Sequence, residues 1–254
     1  MKLHLAIPYP LLEKRLKEVL QHRISPEVYL EAQVLEEVNF QKLTEIRSSL
    51  EKEALTLSLH APYIDLPLGA QDPDVRRVVR KRFLQTLKVA ERLRPLNVVF
   101  HTGFLPPVHS EYRRVWLERA KELWRSFLEE AEKASLTLSL ENVFEKIPEE
   151  LLEIDEGGYF CFDPAHLFLW GSGDLEEWME KLGSRIIEIH VHNNFGKRDD
   201  HLPPDEGLID FKEILRKIRE KRGIIFTLEV FQEEKALKAR DSFRRLLEEM
   251  GWRI

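Results

Sequence analysis

The sequence has little cysteine and no long apolar run. Its only thiol is Cys161, so an intramolecular disulfide is impossible and a reducing compartment is favoured. No apolar run approaches the ~20 residues that a membrane span needs. The first residues, MKLHLAIPYP, lack the apolar core and small-residue cleavage site of a signal peptide. We therefore expect a cytoplasmic protein that does not cross a membrane.

The sequence also has fewer basic than acidic residues. The chain carries 39 Lys and Arg residues against 45 Asp and Glu residues, which gives a net charge of -6. Strong non-specific attraction to nucleic acid or to an anionic membrane is therefore not expected, although a local basic groove is compatible with this balance.

Short apolar segments alternate with longer amphipathic segments along the whole chain. The short segments are rich in β-branched, leucine or aromatic residues between polar or turn residues, which is typical of β-strands. The predicted strands are Leu3–Ile7, Val28–Ala32, Leu55–His60, Asn97–His101, Leu136–Asn142, Tyr159–Asp163, Ile186–His192 and Ile224–Phe231. The predicted helices span residues 9–21, 40–52, 73–94, 109–134, 148–155, 174–182, 210–220 and 233–250.

This alternation predicts an α/β fold, a single (β/α)₈ TIM barrel over residues 1–254. The length of 254 residues is typical of one such barrel. The main alternative is an open, doubly wound sheet. That fold favours a glycine-rich phosphate loop after an early strand, and the sequence has no such loop.

Residues that can bind metal ions lie at or just after the ends of six consecutive predicted strands. In a (β/α)₈ barrel these strand ends form one face, where active sites lie. The residues are His60, His101, Glu141, Asp163, His166, His190, His192, Asp199, His201 and Glu229.

Imidazole nitrogen and carboxylate oxygen suit zinc, and also manganese or iron. Each residue alone also has a structural interpretation: a strand-end histidine can be a hydrogen-bonded core residue, and Asp163 with His166 can be a capped turn. A carboxylate within an apolar strand is costly unless it is paired or bound to metal. Because six successive strands share the pattern, the sequence predicts a metal site.

These residues resemble those of the xylose-isomerase-like TIM-barrel superfamily, which includes endonuclease IV and many sugar and sugar-phosphate isomerases and epimerases. The resemblance covers residues 55–232, where the order His, His, Glu, Asp-x-x-His, His, Asp-x-His, Glu falls at the strand ends. The run from His190 to Asn193 resembles the family's His-x-Asn-Asp motif, which favours His190 over His192 as the ligand on strand seven.

Endonuclease IV binds three zinc ions with nine such ligands, and the resemblance implies the same three groups here. The first ion would be bound by His60, His101 and Glu141; the second by Glu141, Asp163, His190 and Glu229; the third by His166, Asp199 and His201. Zinc is the expected metal, with up to three ions, and manganese, magnesium or cobalt are alternatives.

The resemblance implies two enzymatic activities. The first is hydrolysis of a phosphoester by metal-activated water, on abasic DNA or on a smaller substrate. DNA is not favoured, because the charge is acidic and the segment AIPYPLLEKRL after the first strand lacks the glycines of the endonucleases. The second is isomerisation or epimerisation of a sugar or sugar phosphate at one ion, with Glu141 and Glu229 as acid and base. A non-catalytic metal-binding barrel is a third interpretation. Glu141 and Glu229 are the predicted catalytic residues.

Overall fold

The computed structural model describes residues 1–172, 174–218 and 223–253. Eight parallel strands follow one another around a closed barrel, and the last strand pairs with the first. The prediction of a single (β/α)₈ barrel is confirmed. The strands are β1 Lys2–Pro8, β2 Ser25–Tyr29, β3 Ser58–His60, β4 Val98–His101, β5 Leu138–Glu141, β6 Tyr159–Phe162, β7 Ile186–Val191 and β8 Ile225–Leu228.

Helices connect the strands and surround the barrel. They are α1 Tyr9–Gln21, α2 Val34–Glu37, α3 Phe40–Lys52, α4 Pro73–Leu93, α5 Pro106–His109, α6 Arg113–Lys133, α7 Pro148–Ile154, α8 Pro164–Trp170, α9 Leu175–Leu182, α10 Phe211–Lys217 and α11 Glu233–Glu249. Two 3₁₀ turns, Ser110–Tyr112 and Gly183–Arg185, precede α6 and β7. No helix within these described ranges is long and apolar enough to span a membrane.

The second strand is the one strand that the sequence placed wrongly. It runs over Ser25–Tyr29 instead of Val28–Ala32. Its register pairs Ala6 of β1 with Glu27, and the Glu27 side chain is fully buried. The prediction failed because a strand that contains a buried glutamate does not show the expected apolar pattern.

Short helices account for the other differences from the prediction. The sequence did not predict α2, α5 or α8, which have four to seven residues and are too short to show a helical period. The predicted helix 109–134 begins at Arg113, after α5 and a 3₁₀ turn. The predicted helix 210–220 is α10, and residues 219 and 220 lie outside the described residues.

The main apolar core lies between the barrel and its helices. Trp124 and Phe127 of α6 are fully buried, and the Phe83 ring of α4 stacks on Phe100 of β4 with centroids 4.4 Å apart. The Trp124 indole donates a 2.8 Å hydrogen bond to the buried Asp155 carboxylate, so its one polar atom is satisfied. This packing fixes the strands whose ends carry the polar residues.

The inside of the barrel holds a layer of polar side chains near the amino ends of its strands. His4 donates or accepts 2.9 Å hydrogen bonds at both ring nitrogens, to Ser58 and Thr56. Glu188 accepts from Ser58 at 3.0 Å and from Asn97 at 2.8 Å. Burial and the neighbouring charge of Glu27 raise the pKa of Glu188 to about 7. His4 is thus a satisfied interior residue and lies away from the barrel mouth.

Candidate metal centre

The nine predicted ligands meet at the carboxyl end of the barrel. His60, His101 and Glu141 are the last residues of β3, β4 and β5, whereas Asp163 and Glu229 directly follow β6 and β8. His101 and Asp199 are partly exposed and the other members are buried. A cavity of about 740 Å³ opens above them and is lined by His60, His101, Glu141, His166, Asp199, His201 and Glu229 together with apolar and aromatic residues.

Glu141 lies at the centre of this cluster. Its Oε2 atom is 3.3 Å from His60 Nε2 and 3.0 Å from His101 Nε2. Its Oε1 atom is 3.1 Å from His166 Nδ1 and 3.3 Å from His190 Nδ1. The two oxygens of one carboxylate therefore face two different sets of imidazoles, as a bridging ligand requires.

A second group of ligands surrounds Asp199, in the loop between β7 and α10. Asp199 Oδ2 lies 2.9 Å from His201 Nε2 and 3.3 Å from His166 Nε2. His201 has a left-handed backbone with φ of 47°, which is uncommon for a residue other than glycine. This conformation, two residues after Asp199, brings both side chains to the same side of the loop.

Backbone carbonyls orient three of the histidines in the same way. The Nδ1 atoms of His60, His166 and His201 lie 2.9–3.0 Å from the carbonyl oxygens of Ala61, Asn142 and Glu229. A carbonyl accepts only, so each Nδ1 carries a proton and each Nε2 faces the carboxylates of the cluster, where it can donate to them or, once deprotonated, bind an ion. Metal-binding histidines in proteins are commonly held in this manner.

Asp163 has two functions in the structure. Its Oδ1 atom accepts hydrogen bonds from the backbone N–H groups of Ala165 and His166 and so caps α8. Its Oδ2 atom faces the cluster, 2.8 Å from His192 Nε2 and 3.4 Å from His166 Nδ1. The capped turn and the contribution to the ligand cluster, which the sequence offered as alternatives, therefore coexist.

His190 lies on β7 and His192 directly follows the strand, and both side chains are fully buried. His190 Nδ1 is 3.3 Å from Glu141 Oε1 and 3.4 Å from Glu229 Oε2. Its Nε2 atom faces the buried Glu27 carboxylate of β2 at 3.5 Å. His190 is placed to bind an ion through Nδ1 with a carboxylate behind its other nitrogen.

The charges of the cluster depend on one another. Burial alone raises the pKa of the Glu141 carboxyl, but the facing imidazoles of His190 and His101 outweigh it and hold the pKa well below its usual range. Burial lowers the pKa of His166, whereas the Asp163 charge, the hydrogen bond to Asp199 and the Glu141 charge raise it well above its usual value overall. The carboxylates therefore stabilise positive charge at the mouth.

Several buried atoms of the candidate ligands have no hydrogen-bond partner among the described residues. These atoms are Glu141 Oε1, His190 Nδ1, His192 Nδ1 and Asp199 Oδ1. Unpaired buried polar atoms are costly and rare. The donor set, histidine nitrogen and carboxylate oxygen without thiolate, suits a divalent ion such as zinc. Ligand atoms lie within 4.8 Å of one another in the groups His60–His101–Glu141, Glu141–Asp163–His166 and His166–His192–Asp199–His201. The residues present fit a centre of more than one ion.

An aromatic wall around the cavity was not predicted from the sequence. Tyr63 stacks on His101 with ring centroids 4.1 Å apart, and Phe231 stacks on His201 at 4.0 Å. Trp170 of α8 lies 5.2 Å from the His166 ring. Single aromatic residues in loops have no periodic signal, so only their positions beside ligand residues could have indicated this wall.

The loop that carries Asp199 and His201 is shaped by Asn193 and Gly207. Asn193 donates to the carbonyl oxygens of Pro204 and Ile209 at 2.9 and 3.1 Å and accepts from the Ile209 N–H at 3.0 Å. A Cβ atom on Gly207 would lie 2.3 Å from Asn193 Oδ1, so this position requires glycine.

Comparisons with known proteins agree with this fold. A family model described as "Xylose isomerase-like TIM barrel" matches residues 27–249. The uncharacterised protein MJ1311 of Methanocaldococcus jannaschii is 30% identical over 224 residues, which are 83% of this chain and 75% of the relative.

Two solved structures show the same fold over nearly the whole chain. The TTHB071 protein from Thermus thermophilus, from a crystal soaked with zinc chloride, is 28% identical with a TM-score of 0.79 and covers 100% of both chains. A D-tagatose 3-epimerase-like protein is 23% identical with a TM-score of 0.84, covering 98% of this chain and 97% of the other.

Proposed function

The chain belongs to the xylose isomerase-like TIM-barrel family, and from this premise we propose that it is a divalent-metal-dependent enzyme that hydrolyses a phosphoester of a small substrate at a multi-ion centre. The main support is the position of Glu141, whose two carboxylate oxygens face separate sets of imidazoles. A centre with one ion would leave much of the surrounding ligand set without a function.

The proposed centre uses three groups of ligands. The first ion would be bound by His60, His101 and Glu141; the second by Glu141, Asp163, His190 and Glu229; the third by His166, Asp199 and His201. Zinc is the favoured metal, and manganese, magnesium or cobalt are alternatives. When bound, such ions make hydroxide available near neutral pH and neutralise charge on phosphoryl oxygens.

The residues of the chain provide orientation and shielding. The carbonyl contacts of His60, His166 and His201 hold their rings with Nε2 towards the cluster, so little reorganisation accompanies binding. Glu229 is 8% exposed at the mouth, where its carboxylate can hold a proton of an attacking water or of a substrate hydroxyl. The aromatic side chains of Tyr63, Trp170 and Phe231 line the cavity and limit the access of bulk water.

The cavity favours a small substrate over DNA. Of the side chains described by the structure, those that line it include no lysine or arginine. Binding to a nucleic-acid backbone depends largely on such cations. The net charge of -6 acts in the same direction. Ions bound at the ligand cluster would then be the main positive charge available to a phosphoester.

Epimerisation or isomerisation of a sugar is a second candidate, favoured by the positions of Glu141 and Glu229. Their carboxylate oxygens lie 3.3 and 3.4 Å from the same His190 Nδ1 atom. One small substrate can therefore lie between both carboxylates, which could remove and return a proton beside a carbonyl group. The uncharged aromatic wall of the cavity also suits a sugar.

The zinc-loaded protein is expected to release phenolate from nitrophenyl phosphoesters and to incorporate no solvent deuterium into ketohexoses. Glu229→Gln is expected to lower kcat/KM by about 10²–10⁴-fold, because the amide cannot hold the transferred proton. Spectrophotometry measures the first reaction and NMR spectroscopy the second. Deuterium incorporation at the carbon beside the carbonyl, without phosphoester cleavage, would assign the protein to the second candidate.

A further inference from the structure

His192 was not assigned to any ion by the family pattern, yet it faces the group that contains Asp199. His190 lies on β7 and His192 directly follows the strand; residues two apart in an extended segment point to the same side, and both of these side chains are fully buried. His190 lies beside Glu141 and Glu229, whereas His192 stacks on the His201 ring with centroids 3.9 Å apart and 11° between the planes.

The hydrogen bond of His192 determines which of its nitrogens is available. Its Nε2 atom is 2.8 Å from Asp163 Oδ2, and a carboxylate only accepts. The proton therefore lies on Nε2, and Nδ1 presents a lone pair. This is the carboxylate–histidine arrangement that supports metal-binding imidazoles.

The free nitrogen points to another unsatisfied atom. His192 Nδ1 and Asp199 Oδ1 lie 3.6 Å apart, and each is buried without a hydrogen-bond partner in the part of the chain that the structure describes. Two lone pairs that face each other in a buried site repel, and a cation between them removes the repulsion. The side chain of His192 is fully buried, so bulk water does not satisfy Nδ1.

Three further ligands converge on the same point. His166 and His201 present Nε2 to Asp199 Oδ2 at 3.3 and 2.9 Å. One ligand atom from each of His166, His192, Asp199 and His201 lies within 4.8 Å of the others. Ligand atoms around a tetrahedral zinc ion lie about 3.3 Å apart, so small shifts of the side chains close the site.

We propose that His192 is a fourth protein ligand of the third ion, bound through Nδ1 and supported by Asp163 at Nε2. This inference rests on the proposed metal-dependent function. Four protein ligands complete a tetrahedral zinc site, whereas catalytic zinc sites keep one position open. The third ion would then hold the loop that carries Asp199 and His201, and substrate would bind at the ions that share Glu141.

The variant His192→Gln tests whether His192 is a metal ligand or only a packing residue. A glutamine amide nitrogen can take the place of Nε2 and still donate to Asp163, but glutamine offers only a neutral amide oxygen instead of the imidazole Nδ1, and this oxygen is not among the usual zinc ligands. His4→Gln is the matched control, because His4 is an equally buried barrel histidine whose two nitrogens are already hydrogen-bonded. Far-UV circular dichroism and a melting curve show that each variant is folded.

Zinc binding is measured by elemental analysis and by competition with a chromophoric chelator. The unmodified protein and His4→Gln are expected to bind three zinc ions, and His192→Gln to bind the third at least about 10-fold more weakly. With Co²⁺ in place of zinc, the visible absorption of the third equivalent should fall in His192→Gln, because a tetrahedral site absorbs more strongly than one completed by several waters.

Two results would overturn the assignment of His192 and leave metal dependence intact. The first is His192→Gln with three zinc ions bound as tightly as in the unmodified protein. The second is an unmodified protein that binds only one or two ions, with the same affinity in the variant. An unmodified protein that binds no ion on titration would instead reject the proposed function itself.

Discussion

Replacing Glu141 by glutamine is expected to reduce kcat/KM by about 10³-fold or more, because the amide has no charge and only one oxygen. In the structure both carboxylate oxygens face imidazoles, His60 and His101 on one side and His166 and His190 on the other. An amide nitrogen on either side cannot bind a cation. The variant is therefore also expected to bind fewer zinc ions per chain, as measured by elemental analysis alongside the rate.

Glu145→Gln is the matched control for this variant. Glu145 is 3% exposed, accepts hydrogen bonds from the Thr102 hydroxyl and the Val143 N–H, and lies four residues beyond Glu141. It belongs to none of the three ligand groups. Its glutamine variant should keep the full zinc content. Equal zinc content and equal activity in Glu141→Gln and the unmodified protein would show that Glu141 does not bridge ions.

Removal of metal is the second change with a large expected effect. An ion that binds only the folded state stabilises it by about 4 kcal/mol when the free ion is at 1,000 times its Kd. For a domain of this size about 1 kcal/mol shifts Tm by roughly 2–4 °C. Saturation of even one site should therefore raise Tm by roughly 10 °C relative to the chelator-treated protein, measured by differential scanning calorimetry.

The increase in Tm on adding zinc is expected to depend on pH. Histidine ligands must be deprotonated to bind a metal ion, so metal affinity falls as pH falls. The facing carboxylates of Asp163, Asp199 and Glu141 outweigh burial and hold the pKa of His166 well above the usual value, which strengthens this competition from protons. The increase in Tm on adding zinc should be larger at about pH 8 than at about pH 6. A Tm that does not respond to zinc at either pH would contradict a buried metal centre.

The sequence predicted the barrel and the shared position of the candidate ligands because both depend on local patterns. Apolar runs that end in His60, His101 or Glu141 mark the ends of parallel strands, and parallel strand ends meet at one face. The structure brings all nine predicted ligands to that face. Which carboxylate oxygen faces which imidazole nitrogen depends on side-chain rotamers and on the tilt between strands. Neither can be deduced from the pattern of residues along the sequence.

The positions of two buried residues could not be predicted from the sequence pattern. Glu27 interrupts the apolar run of β2, so the strand was placed three residues too late, although the side chain lies inside the barrel beside His190. His192 shares the alternation of His190, and the sequence offered the two as alternatives for one ligand position. Only the contacts of His192 with Asp163 and His201 place it in a different part of the cluster.

The measurement that tests the central claim most directly is the metal content of protein purified without added metal or chelator, by elemental analysis per chain. A multi-ion hydrolytic centre predicts two to three zinc ions per chain. One manganese, magnesium or cobalt ion per chain would favour the epimerase or isomerase. A chain that is free of metal and binds none on titration would contradict the account of this site.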